Sequence, residues 1–327
     1  MRLRPALFMV GAALFWAGNY VVGAVAVRSM SPFDLTFLRW VIAAVPLLVI
    51  AQLIEKPRWG AVIRAWPLLV LLGVLGMLGY NLLLYEALNF TSPAGAALIN
   101  AANPATMAVL AVLLTRERLS GRAVAGIVVS FTGVLLILSG GDPRTLLALD
   151  VNVGQALMIG AIIVFSLYSI WGRLLRSVPP ITATAVQAVM VLLVMSPFAI
   201  ANGVQVPTEP EPLLALLYIG IFPSVGAYVL WNLALRDTAP SVAGIFLNLV
   251  TVFTVLLGLL LGDAVPLVDL VGGAIVIVGV VLTSRAGGRT RQAGSSPDRV
   301  LRKPREGNIS PSSTVGTGDT TEDGPHD

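Results

Sequence analysis

PLLVLLGVLGMLGYNLLLYEALNFTSP, residues 67–93, and PLLALLYIGIFPSVGAYVLWNLALRDTAP, residues 212–240, are two versions of one text. Each opens with Pro-Leu-Leu, at Pro67 and at Pro212, and runs through apolar residues to Ala-Leu, at Ala87-Leu88 and at Ala234-Leu235. A short link of the form Thr-x-Pro follows, Thr91 to Pro93 and Thr238 to Pro240. The next apolar run ends at an acid in both copies, Glu117 and Asp263. A third run carries glycines seven apart, Gly126 and Gly133 in one copy, Gly272 and Gly279 in the other. The repeat therefore covers 67–138 and 212–282, offset by about 145 to 147 residues, and marks a duplicated unit.

The material of the repeat is the material of most of the chain. Of 327 residues, 56% are hydrophobic and 12% are charged, about half the charge of a soluble domain. An integral membrane protein is the class this composition allows. With no cysteine, disulfides, thiol catalysis and iron–sulfur clusters are excluded. The single histidine, His326, lies in a polar tail, which removes histidine-ligated metal sites and histidine bases.

A spanning helix needs about 20 apolar residues. Ten stretches meet that length, at 5–27, 34–53, 66–88, 94–114, 121–139, 152–174, 181–200, 213–235, 241–261 and 266–284. The first follows Arg2 and Arg4 and could pass for a signal peptide, but its apolar run is too long for a signal core and it has a counterpart at 152–174. Orientation follows the placement of basic residues. With the N-terminus inside, the inner links hold Lys56, Arg58, Arg64, Arg116, Arg118, Arg122, Arg173, Arg176, Arg236 and Arg285, whereas the outer links hold Arg28 and Arg144. Both termini are thus expected in the cytoplasm, in the cell membrane. The tail, 285–327, has no apolar period and is expected to be disordered, its basic start resting near anionic lipid headgroups.

The expected fold is therefore an all-α integral membrane protein. Its first repeat is 5–139 and its second 152–284, with five transmembrane helices each. Five is odd, so the second copy enters the membrane from the opposite side. Ten transmembrane helices as two inverted five-helix repeats are the recurring architecture of secondary transporters, because opposed copies give two similar states open to either side. No Walker-type phosphate loop is present, so transport would run on gradients. The run Trp16-Ala17-Gly18-Asn19-Tyr20, then Leu38-Arg39-Trp40, then Ala87 to Ala94 and Glu117-Arg118-Leu119 appear in order. In the second half Trp231-Asn232-Leu233-Ala234-Leu235 and Leu261-Gly262-Asp263 play the same parts. In these residues the chain resembles the EamA-type branch of the drug/metabolite transporter superfamily, over roughly residues 5–284. The resemblance implies a ten-helix carrier of two EamA-like repeats, often exporting amino acids or other small metabolites. The second copy departs from the pattern in having Asp263 in place of glutamate.

Polar groups at membrane depth are the functional candidates. Trp16, Asn19 and Tyr20 share one face of the first span, Asn81 and Tyr85 one face of the third, and Asn100 and Asn103 one face of the fourth, next to Pro104. Their second-half counterparts are Ser166, Tyr168 and Ser169, then Tyr228, Trp231 and Asn232, then Asn248 and Thr251. In inverted copies the two sets meet near the midplane, where they would line a cavity or, on a plainer reading, bond helix to helix. Arg39 and Glu86 are the ionisable groups inside spans, at similar depth. They are expected to pair and lock two helices, to snorkel to the surface, or to form a substrate or proton site.

A lining of aromatic rings and amides with no fixed central charge suits a neutral or zwitterionic solute. The expected activity is gradient-driven export of a small metabolite by alternating access, with drug efflux or uptake as rivals of the same fold. A membrane enzyme would need clustered acid–base or metal groups that are lacking. A receptor would not need paired polar faces at mirrored depths. The expected partners are a small-molecule solute and membrane lipid, with no nucleic acid, no metal and no cofactor. The glycine faces of the fifth and tenth spans are expected as scaffold, or as the contact of a homodimer.

Overall fold

The computed structural model of the chain describes residues 3–115, 120–142, 144, 152–236 and 240–292. All of its described elements are helical, and no strand occurs among the described residues. Among the described residues, eight helices are long and apolar enough to cross a membrane: α1 Leu3–Ala26, α2 Pro32–Ile54, α3 Trp66–Ala87, α4 Pro93–Leu114, α5 Gly121–Ser139, α6 Val153–Gly172, α7 Pro180–Asn202 and α8 Pro210–Arg236. Two more helices follow, α9 Pro240–Leu260 and α10 Leu267–Gln292. Among the described residues their apolar parts, Phe246–Leu260 and Leu267–Leu282, are shorter than the other eight. A short helix, Trp59–Arg64, leads into α3.

The boundaries follow from local chemistry. The hydroxyl of Ser31 accepts from the Asp34 amide at 3.0 Å, Ser92 from Gly95 at 3.1 Å and Ser120 from Ala123 at 3.3 Å. Each satisfies an N–H that the first turn leaves without a partner. Pro32, Pro93, Pro180 and Pro210 stand at first helical positions, where the missing N–H has no intrahelical role. Gly140 ends α5 in the left-handed region, at φ 57°. The helix expected to end at 284 continues to Gln292, so the first part of the tail is helical rather than disordered. A helix already nucleated in an apolar span adds polar turns without a new nucleation cost. The rest of the tail, together with Glu117, Arg118 and Thr238, lies outside the described residues.

Three helices are irregular where the cavity will lie. α3 is π-helical over Gly73–Gly79, and α8 over Phe222–Gly226. By the repeat offset these are the same place in the two copies. In α8 the cause is visible, because Pro223 cannot donate to the preceding turn. α4 breaks at Ala101–Ala102, between helical segments Pro93–Asn100 and Asn103–Thr115. There Pro104 removes the N–H that would have bonded Asn100.

Packing runs across the halves. α1 packs against α8 and α9, and reciprocally α6 packs against α3 and α4; α2 meets α7, and α5 meets α10. The α5–α10 seam is the tightest of these. A Cβ at Gly133 would stand 2.5 Å from the Gly272 carbonyl oxygen, and one at Gly279 would stand 2.6 Å from that of Gly126. The glycine faces therefore meet each other within one chain, backbone against backbone. The outward faces are apolar, with Val41, Val45 and Val49 on α2 and Val124, Val128 and Leu135 on α5 all exposed. That is the surface a multi-pass membrane protein presents to lipid.

Candidate functional site

The irregular helices and the crossed packing leave a cavity of about 460 Å³ inside the bundle. Eleven of the amide and aromatic residues singled out in the sequence line it: Trp16, Asn19 and Tyr20 from α1, Asn81 from α3, Asn100 and Asn103 from α4, Tyr168 from α6, Tyr228, Trp231 and Asn232 from α8, and Asn248 from α9. Arg39 of α2 also lines it. Among the described lining residues none comes from α5 or α10.

Two expected lining residues lie elsewhere. Tyr85 is fully buried behind the wall, and its hydroxyl donates to Asn19 Oδ1 at 2.8 Å. Thr251 donates from Oγ1 to the Ala97 carbonyl at 2.9 Å, a bond between α9 and α4. Its role in the structure is the plainer one, helix-to-helix bonding.

Aromatic rings form two facing groups. Trp16 stands 5.6 Å from Tyr228 and 5.5 Å from Trp231, ring centre to ring centre. Phe165 stands 5.2 Å from Tyr80 and 5.5 Å from Tyr168. These edge and tilted contacts fix the rings without filling the space between them. Gly76 makes room for the Tyr168 ring against α3, since a Cβ there would come within 2.5 Å of it.

One set of polar groups is bonded together toward one end of the cavity. The hydroxyls of Tyr20 and Tyr80 are 2.9 Å apart, and Tyr80 donates to Asn100 Oδ1 at 3.3 Å. Ser166 donates to Asn103 Oδ1 at 3.0 Å. Past these groups Val27, Met30, Leu84, Leu88, Ala96 and Ala97 close the core. At the opposite end the lining continues through Leu175 and Val178 of the α6–α7 connection to Pro180. The cavity therefore reaches one end of the bundle and is sealed by packed side chains at the other.

Arg39 sits in the sealing layer and is 2% exposed. Its Nε donates to Ser224 Oγ at 2.9 Å, and its Nη1 to Asn81 Oδ1 at 2.6 Å, to Asn19 Oδ1 at 3.4 Å and to the Tyr85 hydroxyl. The two π-helical segments build this arrangement. Ser224, within the second, donates its own proton to the Ile219 carbonyl at 2.7 Å and turns a lone pair to Arg39. Asn81, just past the first, donates through Nδ2 to the Met77 carbonyl at 2.6 Å, which aims its Oδ1 at the guanidinium. The guanidinium carbon also lies 5.0 Å from the centre of the Trp40 ring.

The expected ion pair of Arg39 with Glu86 is not formed. Glu86 lies in the last turn of α3, half-buried, and accepts from Asn89 Nδ2 at 3.3 Å. Adjacent residues on a helix diverge by about 100°, so Tyr85 takes the side facing Arg39 and Glu86 does not. Glu86 is also absent from the described cavity lining. Replacing it with glutamine is expected to leave the pH dependence of transport unchanged; a displaced pH profile in a flux assay would return Glu86 to a proton-carrying role.

The expectation of a cavity with no fixed charge is corrected by Arg39, because depth along a span does not say which way a long side chain turns. Tyr80, Phe165, Gln187 and Ser224 belong to the site or its support and were not singled out. Gln187 had a signal, as an amide in the middle of the apolar α7. Tyr80 and Phe165 carry none beyond aromaticity.

The model of the EamA-like transporter family matches residues 3–139 and again residues 152–285. An uncharacterized transporter, YyaM of Bacillus subtilis, is 27% identical over 283 residues, covering 85% of this chain and 92% of that protein. An uncharacterized transporter of Archaeoglobus fulgidus is 30% identical over 298 residues, with 87% and 98% covered. A protein of Streptantibioticus cattleyicolor described as a "probable terminal-alkyne amino-acid exporter" is 28% identical over 307 residues, with 91% and 100% covered. A solved crystal structure superposes with a TM-score of 0.62 at 22% identity, over 89% of this chain and 99% of that one, a likeness of fold.

Proposed function

The chain belongs to the EamA-like transporter family, and from that premise we propose that it is a secondary carrier exporting small metabolites such as amino acids by alternating access. The observation that carries the reading is the cavity of about 460 Å³. Its size falls within the range that holds a small molecule, about 300 to 1,000 Å³. It is walled by rings and amides from both halves and reaches one end of the bundle alone.

The proposed topology is ten spans in two inverted repeats. It is supported by the double family match and by the reciprocal packing of α1 on α8 and α9 and of α6 on α3 and α4. With the arginine-rich links inside the cell, both termini are cytoplasmic and the open end faces the cytoplasm. This conformation then receives solute from inside, and rocking of the repeats would open the sealed layer outward. Support for export over uptake comes from the relative described as a probable amino-acid exporter.

Flux in proteoliposomes tests the reading. With purified protein and a panel of amino acids and nucleosides, at least one labelled solute is expected to cross and to exchange with its unlabelled form. Protein that is folded by thermal unfolding, yet moves no member of the panel, would sink it.

A further inference from the structure

We propose that Arg39 is the anchor for a carboxylate on the transported solute, so that this cavity selects small organic acids and amino acids over their neutral or cationic derivatives. The inference rests on the carrier reading and narrows it to a class of cargo.

Guanidinium groups keep their proton in proteins, and a buried one is ordinarily paired with a carboxylate. Arg39 is 2% exposed, and all its described partners are neutral oxygens, from Ser224, Asn81, Asn19 and Tyr85. No aspartate or glutamate stands among the described residues of the cavity wall. Neutral oxygens return part of the hydration lost on burial, but not the Coulomb energy of a counter-charge in a low-dielectric interior.

The geometry leaves a place for that counter-charge. Three neighbours occupy Nη1 and one occupies Nε, while Nη2 donates to none of the described residues. The side chain lines the cavity. An open guanidinium N–H beside a solute space is the donor that a carboxylate oxygen takes, in a short charge-assisted bond. The Trp40 ring against the guanidinium and the bonds of Asn81 and Ser224 hold the planar group still, so little order is lost when the anion arrives. The facing aromatic groups around Trp16 and Phe165 then receive an apolar or aromatic body.

Matched pairs test this on the intact protein. Probes are phenylalanine, tryptophan, leucine and methionine, each against its carboxamide, together with 3-phenylpropionate against phenethylamine. Binding to purified protein is read by isothermal titration calorimetry, and flux from proteoliposomes. In the native protein at least one acid is expected to bind about tenfold or more tightly than its amide, as sites built for one polar partner reject an analogue lacking it. Arg39→Gln is expected to abolish that ratio, and Arg39→Lys to keep part of it. Because Arg39→Gln could fail to fold, the acid-to-amide ratio of the native protein stands as a test alone.

If no acid binds more tightly than its amide, or if folded Arg39→Gln keeps the native ratio, the proposal is overturned. Flux without carboxylate preference overturns the Arg39 assignment and leaves the carrier standing. Arg39-dependent acid binding without flux does the reverse.

Discussion

Gly279→Leu is expected to abolish stable folding of the carrier. A side chain at this position meets backbone: its Cβ alone would lie 2.6 Å from the Gly126 carbonyl oxygen on α5. Backbone cannot swing aside as a flexible side chain can, so α5 and α10 must separate along their length. Separation forfeits the close contact that holds membrane helices together, since lipid supplies no hydrophobic drive between them. Overpacking a seam costs about 1 to 3 kcal/mol even where some relaxation is available, and here the same contact recurs at Gly133 and Gly272. The control is Gly60→Leu, because nothing lies within 4 Å of a Cβ there. Thermal unfolding in detergent reads both variants. A native midpoint for Gly279→Leu would show that α5 and α10 do not meet backbone against backbone.

Glu55→Ala is expected to give the second large loss, at the end of the bundle where the cavity opens. The Glu55 carboxylate, with 2% of its side chain exposed, joins three helices. It accepts from the Ile181 amide at 3.1 Å, the Thr182 amide at 2.7 Å and the Thr182 hydroxyl at 2.7 Å, and from Arg236 Nη2 at 3.2 Å. α7 begins after Pro179, which has no side chain to cap it. Glu55 of the neighbouring helix does that work instead, with its negative charge at the positive end of the α7 dipole. Removing it leaves two amides and a hydroxyl unpartnered, at about 1 to 3 kcal/mol for a buried group. The expected sum is about 2 to 4 kcal/mol, because amides at a helix end recover some water. Arg236 is 45% exposed, so Arg236→Ala is expected to change stability by less than about 1 kcal/mol. A Glu55→Ala variant as stable as the native protein, or an Arg236→Ala variant equally damaged, would contradict this account.

The candidate site was legible in part. Intramembrane asparagines and aromatics are expensive unless they bond or face a cavity, and that rule alone found Asn19, Asn81, Asn100, Asn103, Tyr228, Asn232 and Asn248. It misplaced Thr251, whose single hydroxyl is satisfied by the Ala97 carbonyl. It also joined Arg39 to Glu86 on depth, when rotation about α3 gives Tyr85 the inward side and leaves Glu86 with Asn89. Depth follows from counting residues along a helix. Azimuth depends on which neighbour the helix finds, and periodicity is uninformative when nearly every position is apolar.

By itself the sequence determined the class, the duplicated unit and most helix limits. Each rests on properties carried locally: twenty apolar residues in a row, a serine before a proline, a glycine every seven positions. The tertiary structure alone decided that the repeated stretch bends into a π-helix in both copies, at Gly73–Gly79 and Phe222–Gly226. It alone brought Asn81 and Ser224, one from each copy, to the same guanidinium. Those partners are separated from Arg39 by 42 and 185 residues. A buried charge takes its partners from whatever helices pack around it, and that choice is made when the two halves come together.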